Sequence, residues 1–206
     1  MALHVIGHPV AHDALLELRD QATPPAAFRR AATRISLVLA TEALAALPSR
    51  PATVMTPLGP AEGRVLAADV VVVPVLRAGL GMVDAVLQLV PKARVGHIGL
   101  ERDEATAAPS RYYARFPSGL GRTHVLLVDP MLATGGSASA AIDLLKAAGA
   151  RSIALLCIVS APEGIAEVQS RHADVPIYTP VVDEGLNASK FILPGLGDFG
   201  DRLFDT

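Results

Sequence analysis

Hydrophobic positions along the chain fall into two textures. In the first 47 residues they recur at helical spacing: Leu15, Leu16 and Leu18 within residues 12–19, then Phe28, Ala31, Ile35, Val38 and Leu39 at intervals of three and four after Pro24-Pro25. Prolines are tolerated at a helix start, because the first N–H groups there have no intrahelical partner. Two helices are therefore predicted, the second ended by Pro48-Ser49-Arg50-Pro51. Thr53-Val54-Met55-Thr56, followed by Pro57, Gly59, Pro60 and Gly63, predicts a hairpin over residues 52–64, away from the main core.

From Val70 onward the apolar residues come in solid runs, as in strands covered on both faces. Strands are predicted at 70–75, 95–100, 124–129, 153–159 and 175–182, and helices at 82–90, 136–148 (stopped by Gly149) and 162–172. This alternation predicts an α/β fold with a doubly wound, mainly parallel sheet flanked by helices. Ligands of such sheets sit beyond the carboxyl ends of the strands. Two segments break the pattern. Residues 101–117, long and charged with Tyr112 and Tyr113, read as a lid or binding loop, and residues 184–206 read as irregular backbone.

With 206 residues, 51% of them apolar, one domain with a sizeable core is expected. Eighteen Lys and Arg against 20 Asp and Glu leave a net charge of −2, which argues against nucleic-acid packaging and polybasic membrane binding. Cys157 is the single cysteine, so no intrachain disulfide is expected, and a reducing, cytoplasmic setting is the simpler reading. No signal peptide is evident at the start, and the apolar runs fall well short of the roughly 18 residues of a spanning helix.

The chemistry concentrates in residues 125–138, Val-Leu-Leu-Val-Asp-Pro-Met-Leu-Ala-Thr-Gly-Gly-Ser-Ala. A buried strand ends in Asp129, and Pro130, Met131, Leu132, Ala133, Thr134, Gly135, Gly136 and Ser137 then open a helix. Orphan N–H groups at a helix start favour an anion, and glycines let the main chain approach a phosphate closely. Asp129 is placed to accept hydrogen bonds from two vicinal hydroxyls, so the pattern suits a sugar phosphate. An ordinary capped strand–turn–helix joint would share it. No Lys follows the glycines, so this is not a Walker A loop. The histidines form no H-E-x-x-H pair, and Gly7 and Pro9 keep His4, His8 and His12 off one helical face. Cys157, inside an apolar strand, reads as a buried structural thiol.

Arg77, in Pro74-Val75-Leu76-Arg77-Ala78-Gly79, and Arg102 each follow the carboxyl end of a predicted strand and suit a pyrophosphate. The glycine-rich stretch from Ile192 to Arg202 can turn free N–H and C=O groups toward the edge of a small heterocycle, with Asp198 close to the reacting sugar.

On these residues the chain resembles the uracil phosphoribosyltransferases, type I phosphoribosyltransferases of pyrimidine salvage. The likeness begins near His8-Pro9 and Leu18-Arg19-Asp20 and runs through residues 73–82, 95–100 and 129–138 to Pro194-Gly195-Leu196-Gly197-Asp198 and Gly200-Asp201-Arg202. It implies transfer of the phosphoribosyl group of 5-phosphoribosyl 1-pyrophosphate (PRPP) to uracil, giving UMP and pyrophosphate. It also implies Mg²⁺ held mainly by PRPP rather than by protein ligands. Arg77 and Arg102 would contact PRPP, chiefly its pyrophosphate; residues 129–137 would bind ribose and 5′-phosphate, with Asp198 nearby. Ile192, Gly197, Asp198 and Phe199 would frame uracil, and Arg102 and Asp198 are the expected catalytic groups. The whole chain would form one domain, with a core over about 65–183 and with residues 1–64 and 184–206 forming a hood and base pocket. A homodimer or larger homo-oligomer and a GTP effector are further expectations, with no nucleic-acid or membrane partner.

The chain departs from the family pattern at four places. Phe199 stands where Ala is usual, Phe191 where Tyr is, Lys190 where Gly is, and Glu101 where an aromatic is common. The Phe199 ring is expected either to turn outward or to narrow the pocket. The competing readings are a related enzyme acting on another base and a non-catalytic nucleotide- or RNA-binding regulator.

Overall fold

The apolar runs that carry no polar alternation are the ones that pair in the middle of the sheet. The computed structural model describes residues 3–102 and 109–206. In chain order it contains β1 (Leu3–Val5), α1 (Pro9–Arg19), α2 (Pro25–Ala45), β2 (Ser49–Thr56), β3 (Gly59–Leu66), β4 (Asp69–Leu76), α3 (Leu80–Leu89), β5 (Arg94–Val95), β6 (His97–Arg102) and β7 (Pro109–Arg115). A 3-10 turn at Leu120–Arg122 leads to β8 (Thr123–Val128), β9 (Met131–Leu132), α4 (Gly136–Ala147), β10 (Ser152–Leu156), β11 (Val159–Ser160) and α5 (Pro162–Arg171). The rest is β12 (Ile177–Thr179), β13 (Gly185–Leu186), β14 (Ile192–Leu193) and α6 (Phe199–Phe204).

The main sheet has the order β1-β12-β10-β8-β4-β6-β7, with β5 also on β4. Its pairings are parallel except β6 with β7. Successive side chains of a strand point to opposite faces, and both faces here are apolar. Val70 and Val72 of β4, Leu126 and Val128 of β8, and Ala154 and Leu156 of β10 join Phe28, Ile35, Leu39 and Met82 beneath α1, α2 and α3. Val71, Val73, Val125, Leu127, Ile153 and Leu155 meet Ile142 and Leu145 of α4 and Ile165 and Val168 of α5 on the other face. Two-sided burial is why these segments read as continuous hydrophobic runs.

From β4 the chain passes to β6 on one side, then returns to lay β8 on the other. Connections therefore diverge between β4 and β8, which is the place where open α/β sheets bind ligands. Val128, the last residue of β8, stands opposite Pro74 of β4, which runs two residues further to Leu76. At Gly79 the turn after β4 presses on this junction: a Cβ there would lie 2.5 Å from the Val128 carbonyl oxygen and 2.8 Å from both N and O of Val75.

Several expectations are corrected. Residues 101–117 are not an irregular loop: β6 extends through Arg102 and β7 returns antiparallel from Pro109, with residues 103–108 outside those described. The apolar β6 gains this edge partner through main-chain bonds, which a stretch rich in charge and tyrosine can supply as well as valine can. The predicted strand 153–159 divides into β10 and β11, and β11 pairs with β9. Strand 175–182 shortens to β12, and the N-terminal region, read as helical, also contributes β1 to the sheet edge. Residues 184–206 contain the β13–β14 pair and α6. The hairpin expected at 52–64 is present as β2–β3, and its residues are largely exposed. Among the described residues, no helix is long and apolar enough to cross a membrane.

Because three backbone atoms crowd the Gly79 position, Gly79→Ala is expected to destabilise the protein by about 3 kcal/mol, the upper range of overpacking. The midpoint of urea unfolding measures it, and an unchanged midpoint would contradict the close packing of this turn.

Candidate functional site

Two adjoining cavities open beyond the carboxyl ends of the central strands, and they share Met131 and Ala133 as a common wall. The first, about 200 Å³, is lined by Arg77 and Ala78 from the turn after β4, by Leu100 of β6, and by Asp129 with residues 131–135, Ser137 and Ala138. Each wall exists for a local reason. Gly135 adopts φ +82, and a Cβ on it would meet the Gly164 carbonyl oxygen at 2.7 Å, so α5 packs directly on this turn. No side chain caps α4. Its first N–H groups therefore face the cavity side as orphan donors, and the helix dipole adds partial positive charge there.

Asp129 supplies the opposite polarity. Burial pushes its carboxyl up to about 7, against the lowering pull of the Met131 N–H. Cys157 lies nearby in the interior. Burial first and the Asp129 charge second hold its thiol well above the ordinary range, while a hydrogen bond with Ser160 acts the other way. A fully buried thiol of that kind is no nucleophile. Arg77 is half-exposed and pairs at 3.1 Å with Asp201 of α6, so the arginine at the first cavity is already tied to the C-terminal helix.

The second cavity, about 310 Å³, is lined by Met131, Ala133, Ser189, Lys190, Phe191, Ile192, Gly197, Asp198 and Phe199. Of its lining residues, Asp198 also caps α6, its Oδ1 accepting the Asp201 N–H at 2.9 Å. The Asn187 side-chain oxygen accepts the N–H groups of Ser189 and Phe191, which shapes the loop between β13 and β14. Lys190 has φ +66, in the left-handed region that glycine enters without cost.

The structure thus brings Arg77, Asp129, Met131, Leu132, Ala133, Thr134, Gly135 and Ser137 together at one cavity, and Ile192, Gly197, Asp198 and Phe199 at its neighbour. Pro130 and Gly136 line neither. Asp198 lies at the second cavity rather than the first. Arg102 ends β6, next to β4, but its side chain lies outside the described residues. Among the described residues, no three His, Cys, Asp or Glu side chains converge to hold a metal.

The outward-turned expectation for the Phe199 ring needs correction. The residue is 1% exposed, and its ring meets Phe28 edge-on at a centroid distance of 5.1 Å. Arg202 stacks over the far partner, 4.5 Å from the Phe28 ring centre. The ring does not turn outward; it plugs into the core beneath α2, where burial of a benzyl group is most favourable, while Phe199 also lines the second cavity. Sequence reasoning also missed Arg19, Asp183 and Asp201. Arg19 and Asp201 stood in motifs without a role, and the Arg19–Asp183 pair spans 164 residues, a separation that no local pattern reveals.

Comparison with known proteins accords with this geometry in two stages. A hypoxanthine-guanine phosphoribosyltransferase from Bacillus anthracis superposes with a TM-score of 0.53 at 12% identity, covering 77% of this chain and 80% of its own, a likeness of fold alone. The architecture is that of a type I phosphoribosyltransferase. The profile of the uracil phosphoribosyltransferase family matches residues 5–206. A uracil phosphoribosyltransferase of Dictyoglomus thermophilum is 50% identical over 203 residues, 98% of each chain. A solved structure of a protein from Aquifex aeolicus is 34% identical with a TM-score of 0.94, covering 99% of this chain and 98% of that one. The chain belongs to the uracil phosphoribosyltransferase family.

Two substitutions test the site. The native pKa of Asp129 lies above its ordinary 3.8, so the carboxyl costs nothing below that value and progressively more as the pH rises through about 7. Asp129→Asn is therefore expected to leave Tm unchanged near pH 4 and to raise it by several degrees near pH 8. Parallel Tm profiles for the two proteins would refute the buried charge. Phe199→Ala empties a core position and is expected to cost about 3–5 kcal/mol and to raise the KM for uracil by loosening the loop. A fall in that KM would mean instead that the ring narrows the cavity.

Proposed function

We propose that the chain carries out its family's reaction, transfer of the 5-phosphoribosyl group from PRPP to uracil, by holding PRPP in the first cavity and uracil in the second. The observation that carries this division is the shared wall at Met131 and Ala133, which sets a sugar-phosphate cradle edge to edge with a pocket framed by Ile192, Gly197, Asp198 and Phe199. In this reading Asp129 accepts the ribose hydroxyls, and the uncapped start of α4 with Thr134, Gly135, Gly136 and Ser137 takes the 5′-phosphate. Pro130 closes the strand end so that the chain turns into this cradle. Arg77 and Arg102 neutralise the pyrophosphate.

As the bond from C1 to pyrophosphate breaks, positive charge grows on the ribose ring and N1 of uracil forms the new bond. Positioning and charge neutralisation supply most of the catalysis. Main-chain N–H and C=O groups of residues 192–199 match the two carbonyls and two N–H groups of uracil with little conformational entropy to lose. Asp198 keeps one carboxylate oxygen beyond its helix-capping bond to take the uracil proton.

Mg²⁺ would be carried by PRPP, whose phosphate oxygens are the hard ligands it prefers. When bound it supplies charge neutralisation on the leaving pyrophosphate. The same reading includes one domain whose residues 1–64 and 184–206 form hood and base pocket, a homodimer or larger homo-oligomer, a GTP effector and a cytoplasmic location.

The test is a spectrophotometric panel of uracil, cytosine, hypoxanthine and orotate with PRPP and Mg²⁺. Turnover of uracil to UMP is expected; turnover of another base alone, or of none, would overturn the assignment in favour of a different base or a non-catalytic binder.

A further inference from the structure

We propose that Arg19 and Asp183 form a positioning pair that sets the shape of the base-framing loop, residues 192–199. The inference rests on the reading that this loop holds uracil. Arg19 closes α1, and Asp183 follows β12; their side chains meet through two contacts, Nη2 to Oδ1 at 2.6 Å and Nη1 to Oδ2 at 3.1 Å. The carboxylate side chain is only 4% exposed and the guanidinium 20%.

What the pair does with its remaining hydrogen-bonding capacity is specific. Asp183 Oδ2 accepts the N–H of Gly195 at 2.9 Å, and Arg19 Nη1 donates to the C=O of the same residue at 2.9 Å. Both main-chain groups of one loop residue are thus held from both signs of charge. Gly195 has φ +57, and a Cβ there would stand 2.2 Å from the Ile192 carbonyl oxygen, so the turn folds back on a residue that lines the second cavity. Fixing Gly195 fixes Ile192 on one side and Gly197 on the other.

The pair also sets the loop's position against the first cavity. The Asp183 N–H donates to the Ser160 carbonyl at 2.8 Å. Ser160 pairs with Leu132, which lines the first cavity. The links from Gly195 to Asp183, Ser160 and Leu132 therefore run continuously between the two sites. A lysine in place of Arg19 puts a single point charge where the planar fork reaches three acceptors, both Asp183 oxygens and the Gly195 carbonyl. Asparagine in place of Asp183 keeps an acceptor for the Gly195 N–H but loses the charge that orients the guanidinium.

The experiment measures KM for uracil, KM for PRPP, kcat and Tm for the full chain carrying Arg19→Lys or Asp183→Asn, each assayed well below its own Tm. Loss of a charge-assisted hydrogen bond predicts a rise in uracil KM of at least about tenfold, with PRPP KM within about twofold of the wild type. A purely structural pair would lower Tm and leave that split absent: equal changes in both KM values, or an unchanged uracil KM, would overturn the proposal. Gly197→Ala in the loop itself separates the two levels. If it leaves uracil KM untouched, the loop is not the base site and the underlying reading falls; if it raises that KM while the pair variants do not, the positioning role alone falls. Should Asp183→Asn fail to fold, Arg19→Lys decides by the same split.

Discussion

The parallel pairing of β4 with β8 is the constraint on which the rest of the molecule depends. Their register sets the last residue of β8 opposite Pro74, two residues before the end of β4, and the arginine turn after one and the acid after the other open on one cavity. Gly79 makes the close approach of the β4 turn to β8 possible, since any side chain there would collide with the β8 carbonyl. From the same junction the chain runs into α4 without a capping side chain, leaving its first donors free for a ligand. Asp129 is kept in a poorly solvated position at the cost of a raised pKa. Sites of this kind trade stability for binding, because the charge is compensated only when a partner arrives.

The second cavity depends on anchoring of a different kind. Its walls come from segments with little regular structure, and backbone of that type holds a shape only if its polar groups are taken up elsewhere. Arg202 donates to the carbonyls of Leu18, Asp20 and Leu196, drawing the C-terminal segment onto the end of α1. Phe199 inserts its ring beside Phe28, and Arg77 reaches Asp201. Side-chain contacts thus replace the ladder hydrogen bonds that hold the first cavity.

How much of this could be read from the sequence follows from the same division. β4 and β8 were legible because both their faces are buried and no polar residue interrupts them. Asp129 and Gly135 were legible because an acid and paired glycines at a strand–helix joint form a local pattern. β1 is three residues long, too short for any period to show. β7 is an edge strand whose tyrosines and arginines carry no apolar alternation, and its register slips between Gly99 and Leu100. α6 is six residues with a glycine inside. Phe199 gave its identity but not its direction, which only the presence of Phe28 across the fold determines. Arg19 and Asp183 belong to one contact and to opposite ends of the sequence, so nothing in either neighbourhood announces the other.

The distribution of cavity walls along the chain has a temporal consequence. Everything lining the first cavity has been synthesised by Ala138, whereas the second still lacks Ile192 and Phe199 at that point. On a translating ribosome the first cavity is complete in sequence well before the second. In the proposed division two substrates that meet in one reaction would be served by parts of the polypeptide born at different moments, and the later part closes upon α1, among the earliest to leave the exit tunnel.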